Sequence, residues 1–231
     1  MHTFYADIIG EEVCLIGEEH KHCSTVMRSK VGDTIIVFDG KGSKAECEII
    51  KISKSETICS LIQKVRLSDI PAPSLGICPT KNNARLEWCI EKATEIGTKE
   101  IIIFKSERSE KMFTKLDRLH KIVISAAKQS GNLFLPKITV LNDLKTLIGV
   151  TDHYTSKFIA HCHQAPISIT DTPIHSDAII LIGPEGDFTE DEILLCEKNN
   201  YKSVHLGASR LRTETAAIVA LTLMQFSVNK V

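Results

Sequence analysis

Two short runs near the C-terminal end each stop at a glycine and lead into a helix start. This repeated strand-turn-helix unit limits the possible folds more than any other feature of the chain. The runs are Ala178 to Ile182 and Ser203 to Leu206, and the turns begin at Gly183 and Gly207. Such runs, bounded by turn residues, read as buried strands, and a helix after each strand requires a parallel sheet. Glycine at a strand's C-terminal end lets backbone approach a ligand closely, and the next helix offers free N–H groups there. Ligands of open α/β sheets bind outside the carboxyl ends of strands, so the two turns predict one composite pocket. Two ordinary connections would look similar in isolation. The first helix start satisfies itself, because Thr189 and Glu192 form a Thr-x-x-Glu capping box. The second differs: Arg210, Arg212 and Glu214 crowd a helix N-terminus, whose positive dipole end disfavours arginine. A local conflict of that kind points to function.

Upstream, the alternation of strand and helix patterns continues. Leu75–Cys78 reads as a strand, Asn83–Ile96 as a helix ended by Gly97, Ile101–Phe104 as a strand, Leu116–Lys128 as a helix and Phe158–His161 as a strand. The final helix, Thr213 to about Val228, is apolar nearly all round and belongs in a core or a subunit interface. Residues 1–66 differ in kind. Thr34–Asp39, Ala45–Ile52 and Thr57–Val65 alternate apolar and polar positions, with a hairpin signal at Asp39-Gly40-Lys41-Gly42 and a short helix over Glu18–Met27. This is the pattern of a small β-barrel. Between the halves, Leu67–Ser74 holds prolines at 71 and 73, which resist both helix and central strand. Two domains are therefore expected, 1–70 and 71–231.

A hydrophobic content of 43% supports a real core. The eight cysteines lie no closer than nine residues apart, which leaves no CxxC for zinc or redox chemistry, and no metal is expected. No apolar stretch approaches membrane-spanning length and no signal-type start is present, so a cytoplasmic chain with reduced thiols is the default and no membrane partner is expected. GxGxxG and GxxxxGK[ST] are absent, which removes the common dinucleotide and P-loop readings. The net charge of −1 conceals a pattern. Residues 81–130 carry 11 Lys/Arg against 7 Asp/Glu, a surplus of four, between two acidic flanks. A basic zone of that kind suits phosphate contacts or a solvated helical face.

The stretch Leu211-Arg212-Thr213-Glu214-Thr215-Ala216, preceded by Gly183-Pro184-Glu185-Gly186, closely resembles the RsmE family of SPOUT-superfamily methyltransferases. The resemblance runs through nearly the whole chain. It takes in His22 with Val26-Met27-Arg28, Gly32-Asp33, Phe38-Asp39-Gly40, Lys92 to Gly97, Ser106 to Ser109, and Gln129-Ser130-Gly131 before Pro136. It implies an α/β fold in which a SPOUT-type parallel sheet with a C-terminal trefoil knot follows a small PUA-like β-barrel RNA-binding domain. It further implies S-adenosylmethionine-dependent methylation of N3 of a uridine in 16S ribosomal RNA, the small (30S) ribosomal subunit as partner, and a homodimer. A related SPOUT enzyme acting on another RNA position, such as a ribose 2′-hydroxyl, or a non-catalytic ribosome-assembly protein, are the alternatives.

Residue by residue, the resemblance gives Gly183, Glu185, Gly186, Leu206, Gly207, Leu211 and Arg212 to the cofactor; Ile182, Ser209, Thr215 and His161 are further candidates, with a satisfied or exposed histidine as the plainer reading of His161. Arg212 and Glu214 become the catalytic candidates, and His22, Arg28, Lys92, Glu95, Arg108, Ser109 and Gln129 the RNA contacts. The chemistry explains why a cation is wanted. Uracil N3 is a poor nucleophile until it loses its proton, and the resulting charge spreads onto O2 and O4, where a fixed guanidinium would stabilise it. Arg212 is the candidate, with an ion pair to Glu214 as the structural alternative. The general base is left open. His161 stands where a third loop would contribute, and Lys92 with Glu95 also reads as a surface pair. Two positions depart from the family pattern: Asp187 stands where a second glycine is frequent, and Lys128 where a glutamate is frequent.

Overall fold

The computed structural model describes residues 2–68, 71–109, 115–163, 165 and 167–228, and the chain falls into two compact units. Asp69 and Ile70 of the expected linker lie outside the described residues. The first unit comprises Met1–Ile70 with Ala127–Leu135, and the second comprises Pro71–Ala126 with Pro136–Val231. The excursion of 127–135 into the first unit is absent from a simple division of the sequence at residue 70.

In the first unit the strands are β1 (Thr3–Tyr5), β2 (Glu12–Ile16), β3 (Thr34–Phe38), β4 (Ser43–Ile52) and β5 (Glu56–Arg66), in spatial order β1-β3-β4-β5-β2. β1 pairs parallel with β3 and the other pairs are antiparallel. Alternation drives this sheet: in β2, Val13 and Leu15 are buried while Glu12, Cys14 and Ile16 are exposed. The buried faces meet in a core that includes Phe4, Leu15, Ile35, Val37 and Ile49. The β3–β4 turn is held by Asp39, whose carboxylate accepts from the backbone N–H groups of Lys41 (2.8 Å) and Ser43 (2.9 Å). The expected helix over Glu18–Met27 is present in two parts. α1 (Gly17–Lys21) widens into a π-helical turn over His22–Val26, and Arg28 follows in left-handed backbone at φ +53°.

The second unit carries β6 (Ser74–Ile77), α2 (Asn83–Ile96), β7 (Glu100–Phe104), α3 (Leu116–Ser130, whose end belongs to the first unit), β8 (Lys137–Leu141), α4 (Leu144–Val150), β9 (Ser156–Ala160), β10 (Ile167–Ser168), β11 (Ala178–Ile182), α5 (Glu190–Lys198), β12 (Lys202–His205) and α6 (Thr213–Val228). All seven strands are parallel, in the order β10-β12-β9-β11-β6-β7-β8. β8, α4 and β10 were not foreseen, being short and weakly patterned. Strands buried on both faces carry continuous apolar runs, and all of β11, Ala178-Ile-Ile-Leu-Ile182, is buried. α2 starts on an Asn82 cap and stops at Gly97 in left-handed backbone. α5 starts on the expected Thr189–Glu192 capping box. α6 packs against α2 and buries Ala217, Ala220, Leu221 and Met224. These are the parallel sheet and the separate small β-rich unit that the resemblance implied.

Candidate active site

β9 is flanked by β12 on one side and β11 on the other, so the C-terminal ends of these three strands are neighbours. The loops that leave them line one cavity of about 730 Å³. From β9 come Ala160, His161, Cys162 and Ala165. From β11 come Ile182 to Glu185 and Asp187, and from β12 come His205 to Thr213, with Ala216 one turn into α6. The two glycine turns therefore do form one composite pocket, with the β9 loop as its third wall.

Local packing explains the glycines. A Cβ on Gly183 would meet the Phe188 ring at 3.1 Å, and that ring stacks on Phe104 beneath the turn. Gly207 sits at φ +128°, a conformation that side-chain-bearing residues rarely adopt. On the β11 turn, Glu185 Oε1 accepts from Lys81 N at 3.0 Å. Thr189 and Glu192 close the start of α5, and Glu192 Oε1 also accepts from Glu107 N at 2.8 Å. His161 is buried: its Nδ1 accepts from His163 N at 3.2 Å, while Nε2 has no partner among the described residues. Burial pushes its imidazole below the ordinary range, with Asp187 pulling the other way.

Of the cofactor residues expected from sequence, His161, Ile182, Gly183, Glu185, Leu206, Gly207, Ser209, Leu211 and Arg212 line the cavity. Gly186 and Thr215 do not. Gly186 backs onto the Arg108 side chain, and Thr215 lies with Ala84, Arg85, Trp88 and Glu214 along a smaller cleft. Glu214 is thereby separated from the cavity that Arg212 lines. The cause is helical: Thr213 and Ala216 share one face of the first turn of α6, and Glu214 and Thr215 take the opposite one. The Glu214 carboxylate is buried, with Oε1 3.7 Å from Arg85 Nε and Oε2 unpartnered among the described residues. The Arg212–Glu214 ion pair considered from sequence does not form; Arg85 takes that place.

The RNA candidates are divided between the two units and differ in their settings. Arg28 and Gln129 are exposed, and the His22 ring lies 5.6 Å from that of Phe4. Lys92 is paired with both Glu91 and Glu95 at 2.8 Å, the surface pair of the plainer reading. Arg108 donates to Gly186 O at 2.8 Å and so braces the turn after β11. Ser109, expected at an RNA surface, is buried and hydrogen-bonded to Ser106 N and Oγ. Residues that sequence reasoning missed include His205, Arg210 and Asp187. Arg210 was visible as part of the charge conflict; Asp187 was visible only as an irregularity, because its partner is 25 residues away.

Comparison with known proteins decides the family. A model described as an RNA methyltransferase domain matches residues 71–225, and one described as an RNA methyltransferase PUA domain matches residues 15–62. The ribosomal RNA small subunit methyltransferase E of Mesomycoplasma hyopneumoniae is 33% identical over 87% of this chain and 88% of its own. The chain belongs to the ribosomal RNA small subunit methyltransferase E family. The protein of that name from Bacillus subtilis is 30% identical over 92% of this chain and 89% of its own. Among solved structures, a "probable rRNA-methyltransferase" from Porphyromonas gingivalis superposes with a TM-score of 0.90 at 33% identity, covering 100% of this chain and 99% of that one. A family member from Neisseria gonorrhoeae, solved bound to S-adenosyl methionine, gives a TM-score of 0.84 at 25% identity over 99% and 98%. Family membership bears out the resemblance that the Leu211–Ala216 stretch carried.

Proposed function

We propose that the chain transfers a methyl group from S-adenosylmethionine to N3 of a uridine in 16S ribosomal RNA, acting on the small ribosomal subunit. The observation that carries this reading is one cavity lined by both glycine turns, by Arg212 and by His161, whose Nε2 has no partner among the described residues. Its residues fit the cofactor. Aliphatic walls (Ile182, Leu206, Leu211) and a few directed polar groups are what a nucleoside ligand of that size needs. When bound, S-adenosylmethionine supplies an activated methyl group, which leaves the protein to bind, align and manage charge.

In this reading the backbone at 182–185 and 206–211 holds the cofactor, and His161 donates to it from the third wall. Arg212 faces the charge that develops on the uracil oxygens as N3 is deprotonated. Holding nucleophile and methyl in near-attack geometry supplies much of the remaining acceleration. Arg28 and Gln129 are the exposed candidates for RNA, and the target base leaves its stack to reach the cavity. The reading includes a homodimer through α6, whose Ile218, Val219 and Leu223 are half-buried and Phe226 exposed. The test is mass spectrometry of small-subunit rRNA from a strain lacking this protein. One 3-methyluridine should disappear and return with the unaltered gene; an unchanged nucleoside profile would refute the assignment.

A further inference from the structure

Asp187 is an aspartate in left-handed backbone, at φ +63°, where a side chain is unfavourable. It is nevertheless buried, and both carboxylate oxygens are engaged. Oδ1 accepts from the next amide, Phe188 N, at 2.8 Å, and Oδ2 accepts from Cys162 N at 2.8 Å. Its own N–H donates to Pro184 O at 2.9 Å and closes the turn. The bond to Cys162 therefore joins the turn after β11 to the loop after β9.

That loop begins at His161. Because Nδ1 of His161 accepts from His163 N, the proton of the neutral ring belongs on Nε2. Nε2 is buried and has no partner among the described residues, and His161 is one of the residues that line the cavity. A donor buried without a partner is destabilising, so this nitrogen suits an acceptor supplied by a ligand. The His163 ring is also close to the clamp, with Nε2 3.9 Å from Asp187 Oδ2. The residue whose amide sets the tautomer of His161 is thus placed against Asp187.

We propose that Asp187 is a positioning residue: it ties the 161–163 loop to the turn after β11 so that His161 presents Nε2–H as a fixed donor to an acceptor atom of the cavity's ligand. The identity of that ligand rests on the cofactor reading above; the tautomer does not.

Two measurements test this on the full-length protein. Nitrogen-15 NMR of the cofactor-free protein should show the Nε2–H tautomer at His161. Asp187→Gly, which tolerates the backbone angle but lacks the carboxylate, should show a mixture of tautomers, and Asp187→Asn, which keeps one acceptor, should fall between. Calorimetry with S-adenosylmethionine should then give roughly ten- to hundredfold weaker binding for Asp187→Gly, the size expected for a hydrogen bond to a charged group. In turnover the loss should fall on the KM for cofactor rather than on kcat. Since Asp187 acts through His161, adding Asp187→Gly to His161→Ala should cost no more than His161→Ala alone. An Nδ1–H tautomer in the parent, an Asp187→Gly variant with unchanged tautomer and affinity, or strictly additive losses would each overturn the proposal. If the parent itself binds no S-adenosylmethionine, the cofactor reading fails, and the tautomer measurement still decides the role of Asp187.

Discussion

Arg210 and Arg212, two residues apart, are exposed in the loop before α6, against the unfavourable end of the helix dipole. Among the described residues neither guanidinium meets a carboxylate; the one at the first turn of α6, Glu214, is held by Arg85 on the other face. Among the described residues Arg212 thus has no carboxylate partner, as the proposed role toward the substrate's charge requires. Arg212→Ala should lower the single-turnover rate at saturating cofactor by about 10² to 10³, the effect of removing one oxyanion-stabilising donor. Cofactor affinity, measured beside it by calorimetry, should stay within about tenfold. Lys128 has a different role. Its ammonium sits 3.0 and 2.9 Å from the two oxygens of Glu19, one of which also accepts from Tyr5 N, and it lies over the Phe4 ring. Both side chains are about four-fifths buried. A glutamate at this position would face another carboxylate, so Lys128→Glu should destabilise the protein by about 1–3 kcal/mol in urea unfolding. The exchanged pair Glu19→Lys/Lys128→Glu should recover part of that loss.

Among the elements, the N-terminal edge of the parallel sheet is tied by a polar network. Glu100, opening β7, accepts from Lys137 (3.0 Å) and Thr139 (3.0 Å) of β8 and from the Tyr154 hydroxyl (3.1 Å), which is 2.9 Å from Ser74 Oγ of β6. Desolvation by burial pushes the Glu100 carboxyl up, but the combined pull of Lys137, Thr139 and Tyr154 leaves it below the usual range. A carboxylate with a depressed folded-state pKa contributes stability that is present above its unfolded value and lost as pH falls through the folded one. The melting temperature should therefore drop as pH is lowered from about 5 to about 3. Glu100→Gln should melt lower at neutral pH and show a weaker acid dependence. An acid profile identical to that of the parent would place the sensitive group elsewhere.

At the scale of the molecule, α6 leaves apolar residues half-exposed in a single chain, and Phe226 is 67% exposed. Closed two-fold dimers are the commonest way to cover such a face. Light scattering at micromolar concentration should give twice the 25.6 kDa of one chain, and a monomer mass would contradict the dimer. With a net charge of only −1, the protein must hold RNA through many weak phosphate contacts rather than through bulk attraction. Methylation of small subunits should fall steeply as salt rises, in the manner of counterion release. Equal turnover on a short uridine oligomer at low and high salt would contradict a large substrate.

What the sequence determined by itself was whatever short-range physics controls. The strand and helix periods, the Thr189 cap, the Gly97 stop and the two glycine turns all depend on neighbours within a few residues, and they lie where the pattern placed them. Most of the cavity's lining was legible for the same reason, since parallel strands bring their C-terminal turns to one edge. Contacts between distant segments were decided only on folding. Strand order places β11 beside β6 and β9, Arg108 on the carbonyl of Gly186, Asp187 on the amide of Cys162, and Glu214 against Arg85 rather than Arg212. Residues 127–135 joined the first unit for the same reason, with Lys128 supplying an ion pair across more than a hundred residues of sequence. Periodicity records which face of an element is apolar; it does not record which other element will cover that face, and the partners of buried charged groups follow from that choice.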